Sequence, residues 1–334
     1  MAAAEASAYR IVVAEDDSSN ARLFEQVLAA EGHDVRLAAD GVEALALIAD
    51  CKPDLILLDL DMPRLNGYEV CRRVKQDPAT RLIPIVMITA DHAFDSKLRA
   101  WELGADDFLE KPLHCIELVA RCRSLLRVKR LIDELDTAEA VLFALARAVE
   151  AKSPYTQGHA QRVTLYALAL ADEAGLGSEE RETLRKGALL HDIGKISTPD
   201  AILDKPGELT PAEYEVVKQH PLQGARIVEP LRSLRETVPL IRWHHERLDG
   251  RGYPDHLAGE EIPILVRLLS ITDVYDSLAS QRPYRDAMSP ATCLDVLRKG
   301  ARGGKLDARL VDLFCDLMSG ERRLAREPLA ASPV

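Results

Sequence analysis

Three short apolar runs in the first third of the chain leave it little freedom in how it folds. Ile11-Val12-Val13-Ala14, Leu55-Ile56-Leu57-Leu58 and Ile85-Val86-Met87-Ile88 have no polar alternate, so each reads as a strand buried on both faces. Val35-Arg36-Leu37 supplies another strand and Phe108-Leu109 a shorter one. Helical patterns near 20–31, 41–50, 66–76, 95–103 and 114–127 separate them. This alternation predicts an α/β domain over residues 9–127, a doubly wound five-stranded parallel sheet. In such a sheet the working residues sit just past the carboxyl ends of the strands. Those positions hold Glu15-Asp16, Asp59, Thr89 and Lys111. Clustered carboxylates repel one another unless a cation lies among them, and oxygen ligands of this kind suit Mg²⁺. A threonine hydroxyl and a lysine ammonium beside them suit a phosphoryl group. One polar residue at a strand end is ordinary, but the whole series in order is not.

Together with Asp59-Leu60-Asp61-Met62-Pro63, Gly67, Thr89-Ala90, Phe108 and Lys111-Pro112, this series makes residues 9–127 resemble the receiver domain of two-component response regulators. The resemblance implies that Asp59 accepts phosphate from a cognate histidine kinase. It also implies that Glu15, Asp16 and Asp59 hold Mg²⁺, and that Thr89, Phe108 and Lys111 form the switch. Phe108 lacks the hydroxyl that a tyrosine would bring to that place, and Glu15 stands where aspartate is commoner.

Neither proline nor glycine occurs from Glu117 to Glu150, so no flexible linker follows. Leu131, Leu135, Ala138, Leu142, Leu145 and Val149 recur at spacings of four and three. Residues 128–150 are therefore expected to form a helical connector. Its seam either pairs with a twin in a parallel homodimer or packs on the chain's own domains.

The second half, 137–320, is rich in Ala, Leu, Glu and Arg at helical spacing, which predicts an all-α bundle. Helices are expected through Leu165–Asp172, Leu184–Ile193 and Val266–Ser280. His159, His191-Asp192, His220, His244-His245 and Asp273 all lie there. Any single one of these histidines is ordinarily a satisfied or exposed residue, so only their company raises the metal reading. Imidazoles and carboxylates without a thiolate disfavour a structural zinc site, whereas iron and manganese fit. His33, His92, His114 and His256 are given no role.

His244-His245-Glu246-Arg247-Leu248-Asp249-Gly250-Arg251-Gly252-Tyr253-Pro254 is the most specific stretch of the chain. His191-Asp192-Ile193-Gly194-Lys195, Lys205-Pro206-Gly207, His220-Pro221, Asp273-Val274-Tyr275-Asp276-Ser277 and Arg282-Pro283-Tyr284-Arg285 accompany it. With these motifs residues 137–320 resemble the HD-GYP family of HD-type metal-dependent phosphohydrolases. The resemblance implies two divalent metals, iron or manganese, held by His159, His191, Asp192, His220, His244, His245 and Asp273, with Asp192 bridging. It implies that Lys195 acts with Asp192 in catalysis, and that Lys195, Arg282 and Arg285 contact substrate phosphates. The implied substrate is cyclic di-GMP, cut to pGpG or onward to GMP. Contacts with GGDEF-domain proteins through the Asp249–Pro254 loop are also implied.

Some members of the family hold a third metal on an acidic residue just ahead of the first histidine. Tyr155 and Thr156 occupy that turn here, and Ser153 replaces a common aspartate, so two metals are expected. The chemistry agrees: a phosphodiester is a stable anion, and paired metals activate water and neutralise charge. Two rivals stay open, a sensor that binds the cyclic dinucleotide without turnover and a phosphodiesterase for a different cyclic dinucleotide.

A formal net charge of −11 argues against nonspecific nucleic-acid binding and against docking on anionic lipid. The six cysteines form no CxxC pair and read as reduced thiols. With no signal-peptide pattern and no apolar span, a cytoplasmic protein is expected, ending in a tail over 321–334 with no assigned role.

Overall fold

The computed structural model of the chain describes residues 8–90, 94–152, 157–281 and 285–319. The chain divides into two compact units between Thr137 and Ala138.

The first unit runs β1 (Arg10–Ala14), α1 (Ser18–Ala30), β2 (Asp34–Ala38), α2 (Gly41–Cys51), β3 (Leu55–Asp59), α3 (Gly67–Gln76), β4 (Ile85–Thr89), α4 (Phe94–Glu102) and β5 (Asp107–Glu110). It is completed by the start of α5 (Cys115–Glu150). The strands form one parallel sheet in the order β2-β1-β3-β4-β5. Period-two alternation sends Val12, Ile56, Leu58 and Met87 into one core. Ile11, Val13, Leu57 and Ile88 enter the other, against Phe24 and Leu28 of α1 and Leu118 and Cys122 of α5. Every residue of β3 and β4 is buried, which explains why those runs carry no polar alternate. Asp17, Asp40 and Asn66 cap α1, α2 and α3 by accepting backbone N–H bonds.

The second unit is helical, with α6 (His159–Glu173), α7 (Ser178–Leu190), α8 (Asp200–Leu203), α9 (Pro211–Val217), α10 (His220–Val228) and α11 (Val238–Trp243). These are followed by α12 (Ile264–Ala279), α13 (Pro290–Arg302) and α14 (Ala308–Met318). Its main core joins Val163 and Leu170 of α6 to Leu184 of α7, Leu269 and Tyr275 of α12, Leu297 of α13 and Phe314 of α14. Tyr166, Tyr275 and Phe314 meet edge to face, with centroids 5.1 to 6.2 Å apart. A smaller core gathers Ala146 of α5, Leu190, Ile193, Val228 and Ile241.

Several helix boundaries differ from expectation: α6 begins at His159 rather than Leu165, and α12 spans Ile264–Ala279 rather than Val266–Ser280. Helix α7 begins six residues earlier than Leu184, at Ser178, because Glu179 and Glu180 favour the first turn despite its polar composition. It stops at Leu190, and a 3₁₀ turn over Ile193–Ser197 follows. The connector is one helix, continuous with the last helix of the first unit. Along its seam Leu131, Leu135 and Leu145 are exposed, Ala138 and Leu142 are half-buried and Val149 is buried. Among the described residues no helix is long and apolar enough to cross a membrane. His92, the turn with Ser153, Tyr155 and Thr156, Arg282 and the tail at 321–334 lie outside the described residues.

Candidate metal centre

At the carboxyl edge of the sheet in the first unit, Glu15, Asp16 and Asp59 bring carboxylate oxygens within 4.8 Å of one another. Glu15 and Asp59 are buried and Asp16 is exposed. The Lys111 ammonium lies 2.6 Å from Asp59 Oδ2 and 2.9 Å from Glu15 Oε1. Burial pushes the Glu15 carboxyl above its ordinary range, Lys111 opposing and Asp59 reinforcing the shift. Glu15 Oε2 is buried without a hydrogen-bond partner among the described residues, an unmet acceptor of the kind a hard cation satisfies. Thr89 is buried at the end of β4, and Phe108 is buried edge-on against the exposed Trp101 at 5.3 Å. Gly67 admits Asp59 closely, since a Cβ there would fall 2.3 Å from the Asp59 carbonyl oxygen.

In the second unit, His159, His191, Asp192, His220, His244, His245 and Asp273 converge at helix ends and one helix middle. His159 opens α6, His191 closes α7, His220 opens α10, His244 closes α11 and Asp273 lies within α12. The two oxygens of Asp192 face different rings. Oδ2 lies 3.5 Å from His191 Nε2 and 3.9 Å from His159 Nε2. Oδ1 lies 3.2 Å from His220 Nε2 and 3.9 Å from His244 Nε2. Asp273 Oδ1 reaches His159 Nε2 at 3.2 Å and His191 Nε2 at 3.9 Å. His220 and His244 point their Nε2 atoms at each other across 3.2 Å.

Local backbone explains the aim of the rings. His191, His220 and His244 each turn Nδ1 to the carbonyl three residues back, Ala188, Val217 and Ile241, at 2.7 to 2.8 Å. A ring anchored in that way presents Nε2 to the centre. Gly194 brings the turn after Asp192 against α10, because a Cβ at Gly194 would fall 1.9 Å from the His220 carbonyl oxygen.

The charges follow from this crowding. Burial works against the Asp192 carboxylate, but Lys195 and His191 outweigh it and hold its pKa well below the usual range. Lys195 is ion-paired to Asp192 Oδ2. Burial, with the charge of neighbouring imidazoles added, lowers His244 far below normal and takes His245 to about 3. Both rings are therefore neutral near pH 7, with lone pairs available to an ion. His159 goes the other way: burial opposes its charge, but hydrogen bonds to Asp273 and Asp276 win and raise it to about 9. The positive charge wanted between Asp192 and Asp273 is thus one that a proton partly supplies and a metal cation supplies better. His191 Nε2 is buried with no hydrogen-bond partner among the described residues, a second sign that the residues fit a metal.

The stretch after His245 folds back as a brace. Glu246 is buried, and its Oε1 accepts the N–H groups of Asp255 and His256 at 2.6 and 3.0 Å. Gly252 lies against the Glu246 backbone, where a Cβ would fall 2.4 Å from its Cα. The Tyr253 ring lies over His245 at 4.8 Å. Sequence reasoning gave Glu246 and Asp276 no role, although each stands inside a quoted motif. Asp276 follows Asp273 by one helical turn, and that spacing was the available signal.

An open cleft of about 330 Å³ leads to the centre, lined by His159, Asp192, Lys195, His245, Asp273 and Arg285 among others. Arg285 donates from Nη2 to the Ser277 carbonyl at 2.6 Å, while its buried Nε has no hydrogen-bond partner among the described residues.

Comparison with known proteins agrees with this division. Residues 11–123 match the response regulator receiver domain, and residues 144–310 match the HD domain. A probable cyclic di-GMP phosphodiesterase of Vibrio cholerae is 33% identical over 339 residues, spanning 91% of this chain and 76% of the relative. The cyclic di-GMP phosphodiesterase response regulator RpfG of Xanthomonas campestris pv. campestris is 35% identical over 325 residues, spanning 90% and 86%. A 3′3′-cGAMP-specific phosphodiesterase of Vibrio cholerae is 39% identical over 161 residues, spanning 48% of this chain and 35% of the relative.

Proposed function

The chain belongs to the response regulators that join a receiver domain to a metal-dependent HD phosphodiesterase domain, and on that premise we propose that it hydrolyses cyclic di-GMP under control of phosphorylation at Asp59. The observation that carries the proposal is the Asp192 carboxylate, whose oxygens serve separate groups of imidazoles. A donor set split around one carboxylate suits a pair of divalent ions. His159, His191, Asp192 and Asp273 would hold one ion, and Asp192, His220, His244 and His245 the other. Mixed imidazole and carboxylate donors suit iron or manganese. When bound, such a pair supplies Lewis acidity towards water and towards the phosphodiester oxygens.

The protein's own groups do the rest. Lys195 carries an ammonium at the cleft, placed to steady the substrate phosphate or the departing oxygen. Arg285 offers a guanidinium on the same wall, and Arg282 is assigned beside it from its motif alone. In an acidic protein these cations form the local site that a twofold anion needs. The complete donor set favours turnover over sensing, because a sensor has no need of a full complement of ligands. The match to a 3′3′-cGAMP phosphodiesterase keeps that dinucleotide as the second substrate to try.

In the first unit, Glu15, Asp16 and Asp59 would hold Mg²⁺ while a histidine kinase phosphorylates Asp59, with Thr89, Phe108 and Lys111 as the switch. The unmet acceptor on Glu15 supports this. Exposed Leu131, Leu135 and Leu145 at heptad spacing support pairing of α5 with a twin in a homodimer. The exposed Arg251 within the Asp249–Pro254 loop supports contact with GGDEF-domain proteins.

The test is hydrolysis of cyclic di-GMP and 3′3′-cGAMP by protein loaded anaerobically with Mn²⁺ or Fe²⁺, with chromatographic separation of products. Conversion of cyclic di-GMP to pGpG or GMP is expected. Tight binding without turnover at full metal loading would replace the enzyme with a sensor. With acetyl phosphate as donor, Asp59→Ala should abolish any change in rate or sedimentation seen in the parent protein.

A further inference from the structure

The histidines of the centre are not anchored alike. His191, His220 and His244 each turn Nδ1 to a backbone carbonyl three residues back. His159 opens its helix and uses a carboxylate instead: its Nδ1 lies 2.7 Å from Asp276 Oδ2. Asp276 is 1% exposed and lies one turn beyond Asp273 on α12, so one helix presents a carboxylate to each side of the same ring. Arg162 fixes it from the far side, with Nε 2.7 Å from Oδ1 and Nη2 3.0 Å from Oδ2. The Ser280 hydroxyl adds a contact to Oδ2 at 3.3 Å.

We propose that Asp276 is a positioning residue that locks His159 in the Nδ1–H tautomer and makes it the strongest imidazole donor of the centre. A carbonyl accepts the Nδ1 proton as a neutral dipole, whereas a carboxylate accepts it as a full charge and leaves more electron density on Nε2. Because the effect is confined to His159, it falls on the His159–His191–Asp273 side of Asp192 and not on the His220–His244–His245 side. The two ions are therefore held unequally, and the ion on the His159 side is the tighter. Arg162 keeps Asp276 aimed, which makes it the outer member of an arginine–carboxylate–imidazole chain.

The inference rests on the two-ion reading above, but its test does not need hydrolysis. Full-length protein stripped of metal is titrated with Mn²⁺ in excess Mg²⁺, which saturates the oxygen-rich cluster of the first unit, and free Mn²⁺ is read from its electron paramagnetic resonance spectrum. Two unequal phases are expected. Asp276→Asn keeps the shape, removes the charge and should weaken the tighter phase about 10- to 100-fold, leaving the weaker phase unchanged. Arg162→Gln lies nearer the surface and should weaken that same phase less. Equal weakening of both phases, or an unaltered titration, overturns the proposal. If Asp276→Asn does not fold, an unaltered titration of Arg162→Gln overturns it alone. Two-phase binding without hydrolysis would sink the enzymatic reading and leave this one standing.

Discussion

Asp192→Ala should lower cyclic di-GMP hydrolysis about a thousandfold or more, equivalent to about 4 kcal/mol or more of transition-state stabilisation. Among the described residues no other carboxylate serves both groups of imidazoles, since Oδ2 faces His159 and His191 while Oδ1 faces His220 and His244. Its loss also removes the carboxylate paired with the Lys195 ammonium. Truncation therefore leaves imidazoles facing one another without the negative charge that draws cations between them. Fold should survive, because Asp192 is no part of the apolar clusters that join α6, α7, α12 and α14. The check is initial rate together with metal content per chain and circular dichroism. Hydrolysis at the parent rate by a folded Asp192→Ala protein would refute the assignment of the centre.

Gly194→Ala should do comparable damage by a different route. The new Cβ would lie 1.9 Å from the His220 carbonyl oxygen and 2.5 Å from the Gly224 nitrogen, both backbone atoms that cannot swing away. The turn after Asp192 and the start of α10 must part, and they carry Asp192 and His220 respectively. Overpacking of this kind costs about 3 kcal/mol, or a fall in melting temperature of roughly 6–12 °C for a domain of this size. A displacement of about 1 Å between the two side chains lowers activity on the order of 100-fold. Gly207→Ala is the control, since a Cβ there meets nothing within 4 Å among the described residues. It should change stability by less than about 0.5 kcal/mol. Equal melting temperatures for the two variants would show that the approach at Gly194 can relax.

Much of the first unit was legible because a parallel sheet leaves its mark at short range. A strand buried on both faces must be a continuous apolar run, and its carboxyl end must be where the chain turns polar. Glu15, Asp59, Thr89 and Lys111 could be read from those two facts alone. In the second unit the residue types disclosed the donor chemistry, and the eleven-residue stretch from His244 to Pro254 disclosed the family. Helix ends were read less well, as at Ser178, because polar first turns carry no apolar period.

What the sequence determined by itself, then, was a parallel sheet with acidic and basic residues at its edge, and a helical half supplied with imidazoles and carboxylates. Tertiary structure alone decided which oxygen of Asp192 meets which ring, that Glu246 braces the loop beyond His245, and that Asp276 stands behind His159. His159 and Asp276 lie 117 positions apart, and nothing in the periodicity of either helix records the other. Apolar spacing tells a helix which face to bury, but the neighbour it is buried against is fixed only when α6, α7 and α12 close on one core and α10 packs with α7 and α11 on the other.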